Sequence, residues 1–344
     1  MKVPIDIETV NRLRGLLDDA KKIVIVMHVN PDGDAMGACL AIYHSLLQLY
    51  PEQELTLVSP NHYPAFLQWM EYTDKILIFK DNRKIVKEKI AAADLIICLD
   101  FSSLSRLEDL EQILRNSSAP KILVDHHINP AKEEFVLVVS DVSASSTSEI
   151  VYRLMKVMKL PVPVSAAEAL LTGIMTDTNN FRDNASNPET FEVVAELLHM
   201  GADKDKVTAA VYENFSASRM KLLGYVLENM VVLPEYNAAY MSLSLEELNR
   251  FNFQPGDTES FVNYPLNIAK IKLSAYMSEQ QDGTIRCSFR SRGDFSVNDL
   301  ARKHFNGGGH RNAAGGRLTC SLKDATTFFV AQLENYKDAL QSSI

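Results

Sequence analysis

Cysteines are few and long apolar runs are missing from this chain of 344 residues, and both absences narrow the class of protein. Neither the paired spacing of zinc ligands nor the density of a disulfide framework is present. No apolar run approaches the roughly 20 residues that cross a bilayer, and the first twenty residues lack the features of a signal peptide. We therefore expect a cytoplasmic protein with no membrane partner. The cysteines are Cys39, Cys98, Cys287 and Cys320.

Positive charge is also scarce. Lysine and arginine number 35 against 44 aspartates and glutamates, and the formal net charge is -9. Such a chain exerts little long-range attraction on a polyanion, so a long duplex nucleic acid is not an expected partner. A substrate that carries phosphates is expected to be small, or to be bound by a local basic patch.

Short apolar segments alternate with helical patterns in the first half of the chain. Residues 35–49, for example, place apolar side chains at helical spacing. Strands that alternate with helices predict an α/β fold, with a mostly parallel sheet and helices on both faces. The predicted strands are KIVIVM (22–27), ELTLVS (54–59), KILIFK (75–80), DLIICLD (94–100), KILVDHH (121–127) and FVLVVS (135–140).

The pattern changes in the second half. Helical spacing dominates residues 145–232 and includes a long connecting helix at 216–230. Shorter strands and helices then alternate, which predicts a smaller α+β domain. The later strands are predicted at 238–244, 269–279, 284–291 and 316–321, and the helices at 297–305 and 322–340. The predicted segments are a first domain (1–212), a helical linker (213–234) and a second domain (235–344).

Acids and histidines follow three of the predicted strands at the point where each strand ends. In open parallel sheets, functional groups gather beyond the carboxyl ends of the strands. The stretch NPDGD alone also suits a turn, but two further strands that end in the same way make a shared site the better interpretation. The residues are His28, Asp32 and Asp34 after the first strand, Asp100 after the fourth, and Asp125, His126 and His127 after the fifth.

Asp177 adds a further acid at the end of an apolar helical stretch, where a helix cap is the alternative interpretation. Buried carboxylates that lie close together repel one another unless cations neutralise them, and hard divalent ions bind carboxylates together with a few imidazoles. Two divalent cations would balance the four charges of Asp32, Asp34, Asp100 and Asp177.

Basic and glycine-rich stretches mark the second domain. Arg290 and Arg292 lie two apart on a predicted strand and would share a face, and a guanidinium suits bidentate contact with a phosphate. A solvated strand face is the alternative. The segment GGGH, residues 307–310, lets the backbone approach a ligand closely.

These motifs, in this order, resemble those of the DHH phosphoesterase superfamily: HVNPDGDAMG (28–37), Asp100, VDHH (124–127) and GIMTDT (173–178). The stretches FRSRG (289–293) and GGGHRNAAGG (307–316) resemble the DHH-associated domain of its branch that degrades very short RNA. The resemblance covers nearly the whole chain. It implies a catalytic DHH domain joined by the helical linker to a smaller, substrate-binding DHH-associated domain.

The resemblance also implies the site. Two Mn²⁺ ions are expected, with Mg²⁺ as the alternative metal. The first ion would be bound by His28, Asp32 and Asp100, and the second by Asp34, Asp100, His126 and Asp177. His127 would face the substrate phosphate and Asp125 would orient its neighbours, so the catalytic set is Asp100, Asp125 and His127. The substrate contacts would be Arg290, Arg292, Gly307, Gly308, Gly309 and His310.

The implied activity is hydrolysis of very short single-stranded RNA to mononucleotides and of 3'-phosphoadenosine 5'-phosphate to AMP, by water activated between two metals. A phosphodiesterase for linear or cyclic di-adenosine nucleotides is the close alternative. An inactive nucleotide sensor would have lost ligands, an inorganic pyrophosphatase would lack GGGH, and a processive exonuclease would be longer and more basic. A monomer and a homodimer are both compatible with the sequence.

Overall fold

The chain divides between Asn214 and Phe215 into two compact units, each built around a six-stranded sheet, in a computed structural model that describes residues 5–183 and 185–342. The first unit is α/β and the second is smaller and α+β, so the predicted fold class is confirmed. No helix within the described part of the chain is long and apolar enough to cross a membrane.

All neighbouring strands of the first sheet run parallel, in the order β3-β2-β1-β4-β5-β6. The chain builds outwards from β1 to one edge and then from β4 to the other, so the direction of winding reverses between β1 and β4. Ligand sites in such sheets lie beyond the carboxyl ends of the strands at this reversal. The strands are β1 (Lys22–Met27), β2 (Glu54–Ser59), β3 (Leu77–Ile78), β4 (Leu95–Leu99), β5 (Lys121–Asp125) and β6 (Leu137–Ser140).

Two hydrophobic cores cover the two faces of this sheet. Successive side chains of β1 point to opposite faces, so Ile23 and Ile25 enter one core while Val24 and Val26 enter the other. Because both faces of the sheet are covered by apolar side chains, its strands are continuous hydrophobic runs. The helices of this unit are α1 (Ile7–Asp19), α2 (Gly33–Leu49), α3 (Arg83–Ala91), α4 (Glu111–Asn116), α5 (Thr147–Met158), α6 (Val164–Asp177), α7 (Pro188–His199) and α8 (Lys204–Tyr212).

Helices α2 and α6 pack closely because a glycine removes a side chain from their contact. A Cβ added to Gly37 of α2 would lie 2.3 Å from the backbone oxygen of Ala169 in α6. The helical backbone at Ala169 cannot move aside as a flexible side chain can. The same two helices carry Asp34 and Asp177, so this close approach also sets the distance between these acids.

We expect Gly37→Ala to destabilise the protein by about 1–3 kcal/mol, since the added methyl group forces the two helices apart. Urea denaturation followed by circular dichroism measures the change. Gly15→Ala is the matched control, because Gly15 is an exposed residue of α1 with nothing within 4 Å of an added Cβ. That control is expected to raise stability by roughly 0.5–1 kcal/mol. Equal effects of the two substitutions would contradict the packing argument.

The second unit contains a mixed sheet in the order β11-β12-β10-β9-β8-β7, in which only β8 and β9 run parallel. Leu222 and Val226 of α9 pack against Met241 and Phe261, so the helix within the segment predicted as a linker is part of this unit's core. The elements are α9 (Ala217–Glu228), β7 (Val231–Leu233), β8 (Ala238–Leu243), α10 (Leu245–Arg250), β9 (Leu273–Glu279), β10 (Ile285–Ser291), α11 (Val297–His304), β11 (Gly308–Gly309), β12 (Ala313–Leu318), α12 (Leu322–Leu333) and α13 (Lys337–Gln341).

Three local expectations need correction. The strand predicted at 75–80 is only the two residues of β3, because this edge strand pairs with β2 alone and a turn follows at Asp81. The strand predicted at 316–321 begins earlier, at Ala313, since its glycines pair with β10. Arg292 does not share a strand face with Arg290, because β10 ends at Ser291.

Candidate metal centre

The chain segment after β1 brings His28 and Asp32 towards Asp100. Asp32 caps α2, and its Oδ1 accepts hydrogen bonds of 3.0 and 3.1 Å from two backbone N–H groups of the first turn. His28 is buried, and its Nδ1 lies 2.7 Å from the backbone oxygen of Val29. This contact assigns the ring proton to Nδ1 and leaves Nε2, which lies 3.4 Å from Oδ2 of Asp100, as the basic nitrogen.

Asp100 lies at the centre of the cluster. It follows β4 with a φ of 67°, a left-handed conformation that is uncommon outside glycine and often found at functional sites. Its backbone N–H donates to the oxygen of Val124 at 3.1 Å, which holds the turn against β5. Oδ2 faces His28, while Oδ1 lies 3.7 Å from Nε2 of His126. One carboxylate therefore contacts the histidines that follow two different strands.

A second group of possible metal ligands surrounds His126. Its Nε2 lies 3.9 Å from Oδ2 of Asp34, which is fully buried in the first turn of α2. The same nitrogen lies 3.5 Å from Oδ2 of Asp177, the last residue of α6. Asp177 is thus aimed into the cluster and does more than end its helix.

Asp125 and His127 form a third contact. Oδ1 of Asp125, which is fully buried at the end of β5, lies 2.7 Å from Nδ1 of His127. The carboxylate therefore orients the imidazole ring. The rings of His126 and His127 meet edge to face, with centroids 4.9 Å apart.

Burial and neighbouring carboxylates shift the pKa values of three residues in this cluster. Burial raises the pKa of Asp100 well above its usual range, and the carboxylates of Asp34 and Asp32 raise it further. Burial lowers the pKa of His28, which favours the neutral imidazole. Burial also acts to lower the pKa of His126, but the carboxylates of Asp177 and Asp34 outweigh it and the net direction is upward. The upward shifts of Asp100 and His126 are expected where buried carboxylates crowd together.

The donor set fits divalent metal ions. Among the described residues, no lysine or arginine pairs with Asp34 or Asp100, so no side chain of that kind neutralises these two buried acids. Imidazole and carboxylate donors together suit first-row divalent ions. Three sets that lie wholly within the described part of the first unit have donor atoms within 4.8 Å of one another: His28 with Asp32 and Asp100, Asp34 with His126 and Asp177, and Asp100 with Asp125 and His127.

The structure adds a residue that sequence reasoning missed. Thr147, the first residue of α5, donates from its hydroxyl to Oδ1 of Asp100 at 2.8 Å and from its backbone N–H to Oδ2 of Asp34 at 2.6 Å. The sequence SASSTSE, residues 143–149, predicts only a helix start. The sequence offered one signal for Thr147, which is that this segment directly follows the last predicted parallel strand.

In the second unit, Arg290 is half-buried on β10, between Ser274 of β9 and Ala313 of β12. Arg292 is exposed beyond the strand, and its backbone N–H donates to the oxygen of Lys272 at 2.9 Å. The two arginines that the sequence pairs on one face therefore lie in different surroundings.

The glycine segment of this unit forms a tight hairpin. Gly308 and Gly309 form β11 against β12, and His310 follows in a turn where its N–H donates to the oxygen of Ala313 at 2.7 Å. A Cβ on Gly307 would lie 1.8 Å from the backbone oxygen of Gly315, so no side chain fits there. Gly307 and Gly309 are therefore required by the close approach of two backbones, whereas a Cβ on Gly308 would be no closer than 3.4 Å to any neighbour.

Comparison with known proteins agrees with this architecture. The model of the DHH family, N-terminal domain, matches residues 22–174, and that of the DHHA1 domain matches residues 235–339. A Streptococcus mutans protein named probable bifunctional oligoribonuclease and PAP phosphatase NrnA is 30% identical over 85% of this chain and 88% of its own length. The Bacillus subtilis protein named bifunctional oligoribonuclease and PAP phosphatase NrnA is 30% identical over 86% of this chain and 89% of its own length.

A solved structure is also similar over nearly the full length. The crystal structure of an exopolyphosphatase-related protein from Bacteroides fragilis superposes with a TM-score of 0.94 at 39% identity, covering 99% of this chain and 100% of that one. Domain order, clustered acids and histidines, and full-length similarity all lead to one conclusion. The chain belongs to the DHH family and carries its DHHA1 domain.

Proposed function

We propose that this protein is a metal-dependent phosphoesterase that hydrolyses very short oligoribonucleotides to mononucleotides and 3'-phosphoadenosine 5'-phosphate to AMP. The observation that carries the proposal is the position of Asp100, whose two oxygens face His28 and His126 at the reversal of a parallel sheet. The names of the relatives from Streptococcus mutans and Bacillus subtilis supply the substrate class. A cytoplasmic location remains a prediction from the sequence.

The metal ligands in this proposal form two sets that share Asp100. Bound there, a pair of divalent cations would supply a water of lowered pKa and neutralise the charge that builds on the phosphate. We assign Mn²⁺ as the preferred ion because imidazole ligands suit it better than they suit Mg²⁺, which prefers oxygen ligands and bound water. One set is His28, Asp32 and Asp100, and the other is Asp34, Asp100, His126 and Asp177.

The neighbouring residues of the chain prepare the substrate side of the site. Asp125 accepts a hydrogen bond from Nδ1 of His127, which fixes the tautomer and the orientation of the ring. We assign His127 to the substrate phosphate, where an oriented imidazole acts as a hydrogen-bond donor or proton carrier. Asp125 acts through His127 and does not itself contact the substrate.

We assign substrate binding to the second unit. The half-buried guanidinium of Arg290 suits a phosphate. The glycine segment 307–309, next to the imidazole of His310, lets the backbone approach a ligand closely. Arg292 is the weaker candidate because it is exposed past the end of β10. In this division of roles, residues 1–212 carry hydrolysis and residues 235–344 bind the nucleotide. Residues 213–234 connect them, and the helix in this segment packs into the core of the second unit.

A panel of substrates tests the proposal. It contains 3'-phosphoadenosine 5'-phosphate, RNA of two to about 25 nucleotides, matched DNA, linear and cyclic di-adenosine nucleotides, pyrophosphate and a short polyphosphate, each with Mn²⁺ and with Mg²⁺. Polyphosphate is included because the solved relative is described as related to exopolyphosphatases. Preference for a di-adenosine nucleotide would favour the alternative activity, and absence of turnover on every substrate would favour a sensor.

Within this panel, we expect catalytic efficiency to be highest for RNA of roughly two to five nucleotides. A chain with a net charge of -9 gains little from phosphates beyond a few local contacts, and each additional one meets an unfavourable field. Initial rates at fixed moderate salt measure the dependence on length. Efficiency that rises steadily out to 20-mers would contradict the proposal and favour a processive exonuclease.

A further inference from the structure

The N-terminus of α5 directs its first two free N–H groups at one carboxylate. Thr147 N–H donates to Oδ2 of Asp34 at 2.6 Å, and Ser148 N–H donates to Oδ1 of the same side chain at 2.8 Å. The next N–H, that of Glu149, is satisfied within the helix start by the hydroxyl of Ser146 at 3.1 Å. The positive end of the helix therefore faces the carboxylate of Asp34, which is fully buried.

Thr147 also reaches a second acid. Its hydroxyl donates to Oδ1 of Asp100 at 2.8 Å, while its own N–H is used by Asp34. The two donor atoms belong to one residue, so covalent geometry limits how far the two carboxylates can separate. Thr147 is fully buried, and its position cannot relax into solvent.

The contacts leave both acids able to bind a cation. A carboxylate has about four lone-pair sites. Asp34 uses two of them on the α5 N–H groups, and Oδ1 of Asp100 uses one on the Thr147 hydroxyl. The remaining lone pairs belong to oxygens that lie near His28 and His126, so these carboxylates can still bind a cation.

A buried network holds the start of α5 in place. The carboxylate of Glu149, which is fully buried, accepts hydrogen bonds from the N–H and hydroxyl of Ser145 at 3.0 and 2.6 Å and from the hydroxyl of Thr190 in α7 at 2.8 Å. It also pairs with Arg153, which in turn bonds to Asp141 at 2.9 Å. The carboxylate of Glu149 therefore links the loop before α5, helix α5 itself and helix α7.

We propose that Thr147 is a positioning residue that holds Asp34 and Asp100 at the separation required to bind metal and thereby sets the affinity of the centre. Groups that orient metal ligands contribute about 10- to 100-fold to metal affinity. The inference rests on the metal centre of the proposed function, but it concerns metal binding and not hydrolysis.

The test compares the isosteric substitution Thr147→Val, which removes only the hydroxyl, with Thr147→Ser, which keeps it. Binding of Mn²⁺ to the full-length, metal-free protein is followed by loss of the electron paramagnetic resonance signal of free Mn²⁺, with no substrate present. We expect Thr147→Val to weaken Mn²⁺ binding by about tenfold or more, and Thr147→Ser to remain within about threefold of wild type. Should Thr147→Val fail to fold, Thr147→Ala replaces it under the same criterion.

Thr172→Val is the matched control, because Thr172 is equally buried but donates its hydroxyl to the backbone oxygen of Glu168 within α6. It is expected to bind Mn²⁺ as wild type does. Wild-type affinity in Thr147→Val, loss in Thr147→Ser as great as in Thr147→Val, or an equal loss in Thr172→Val would overturn the inference. If these affinities follow expectation while no substrate is hydrolysed, the proposed function fails and the positioning role of Thr147 stands.

Discussion

Replacing Asp100 by asparagine is expected to reduce hydrolysis about a thousandfold or more, which corresponds to about 4 kcal/mol of transition-state stabilisation. Asp100 belongs to both sets of ligands in the proposed centre, so one substitution weakens both. Asparagine is preferred to alanine because it keeps the size of the side chain and tolerates the φ of 67° at this position. Turnover of 3'-phosphoadenosine 5'-phosphate with Mn²⁺ measures the loss.

The stability of the metal-free protein separates a lost ligand from a damaged fold. Asp100 is a buried acid that adjoins Asp34 and other carboxylates, and this crowding costs free energy when no cation is bound. Metal-free Asp100→Asn is therefore expected to melt at or above the temperature of metal-free wild type, and to gain less on addition of Mn²⁺.

Asp94→Asn is the control for this experiment. Asp94 precedes β4, whereas Asp100 follows it, and its carboxylate accepts from the backbone N–H groups of Lys21 and Lys22, as an amide oxygen also can. Activity is expected to be unchanged in the control. Activity of Asp100→Asn within tenfold of wild type would remove Asp100 from the site.

Arg290→Ala is expected to lower kcat/KM for nucleotide substrates by about 10- to 100-fold, mostly through KM, while the affinity for Mn²⁺ stays at the wild-type value. A charge-assisted hydrogen bond contributes about 1.5–3 kcal/mol, which gives this range. His310→Ala is expected to act in the same direction and more weakly. Steady-state kinetics and direct Mn²⁺ titration of each variant supply the two measurements.

Arg317→Ala is the matched control for charge. Arg317 lies on β12 of the same unit, is exposed and pairs with Asp282 at 3.5 Å, so its removal changes the net charge as Arg290→Ala does. An equal loss of kcat/KM in both variants would show that the lost positive charge, and not a contact made by Arg290, lowers kcat/KM. A loss of Mn²⁺ affinity in Arg290→Ala would contradict the assignment of metals and substrate to different parts of the chain.

The sequence by itself determined the fold class and the residue types of the site. Apolar runs without alternation predict strands that are buried on both faces, and β1 meets that description with residues in both cores. The carboxyl ends of parallel strands lie at one edge of a sheet, so acids and histidines after β1, β4 and β5 were expected to cluster. This inference needs only chain order and local pattern, both of which are written in the sequence.

The tertiary structure alone decided which donor meets which carboxylate. Thr147 is 113 residues from Asp34 in the chain and 47 from Asp100, and no local pattern pairs a helix N-terminus with acids so distant. The end of β10 before Arg292 and the pairing of Gly308 and Gly309 in β11 likewise depend on partners elsewhere in the sheet. Strand ends and hydrogen-bond partners follow from packing between elements, and that packing sums many contacts remote in sequence.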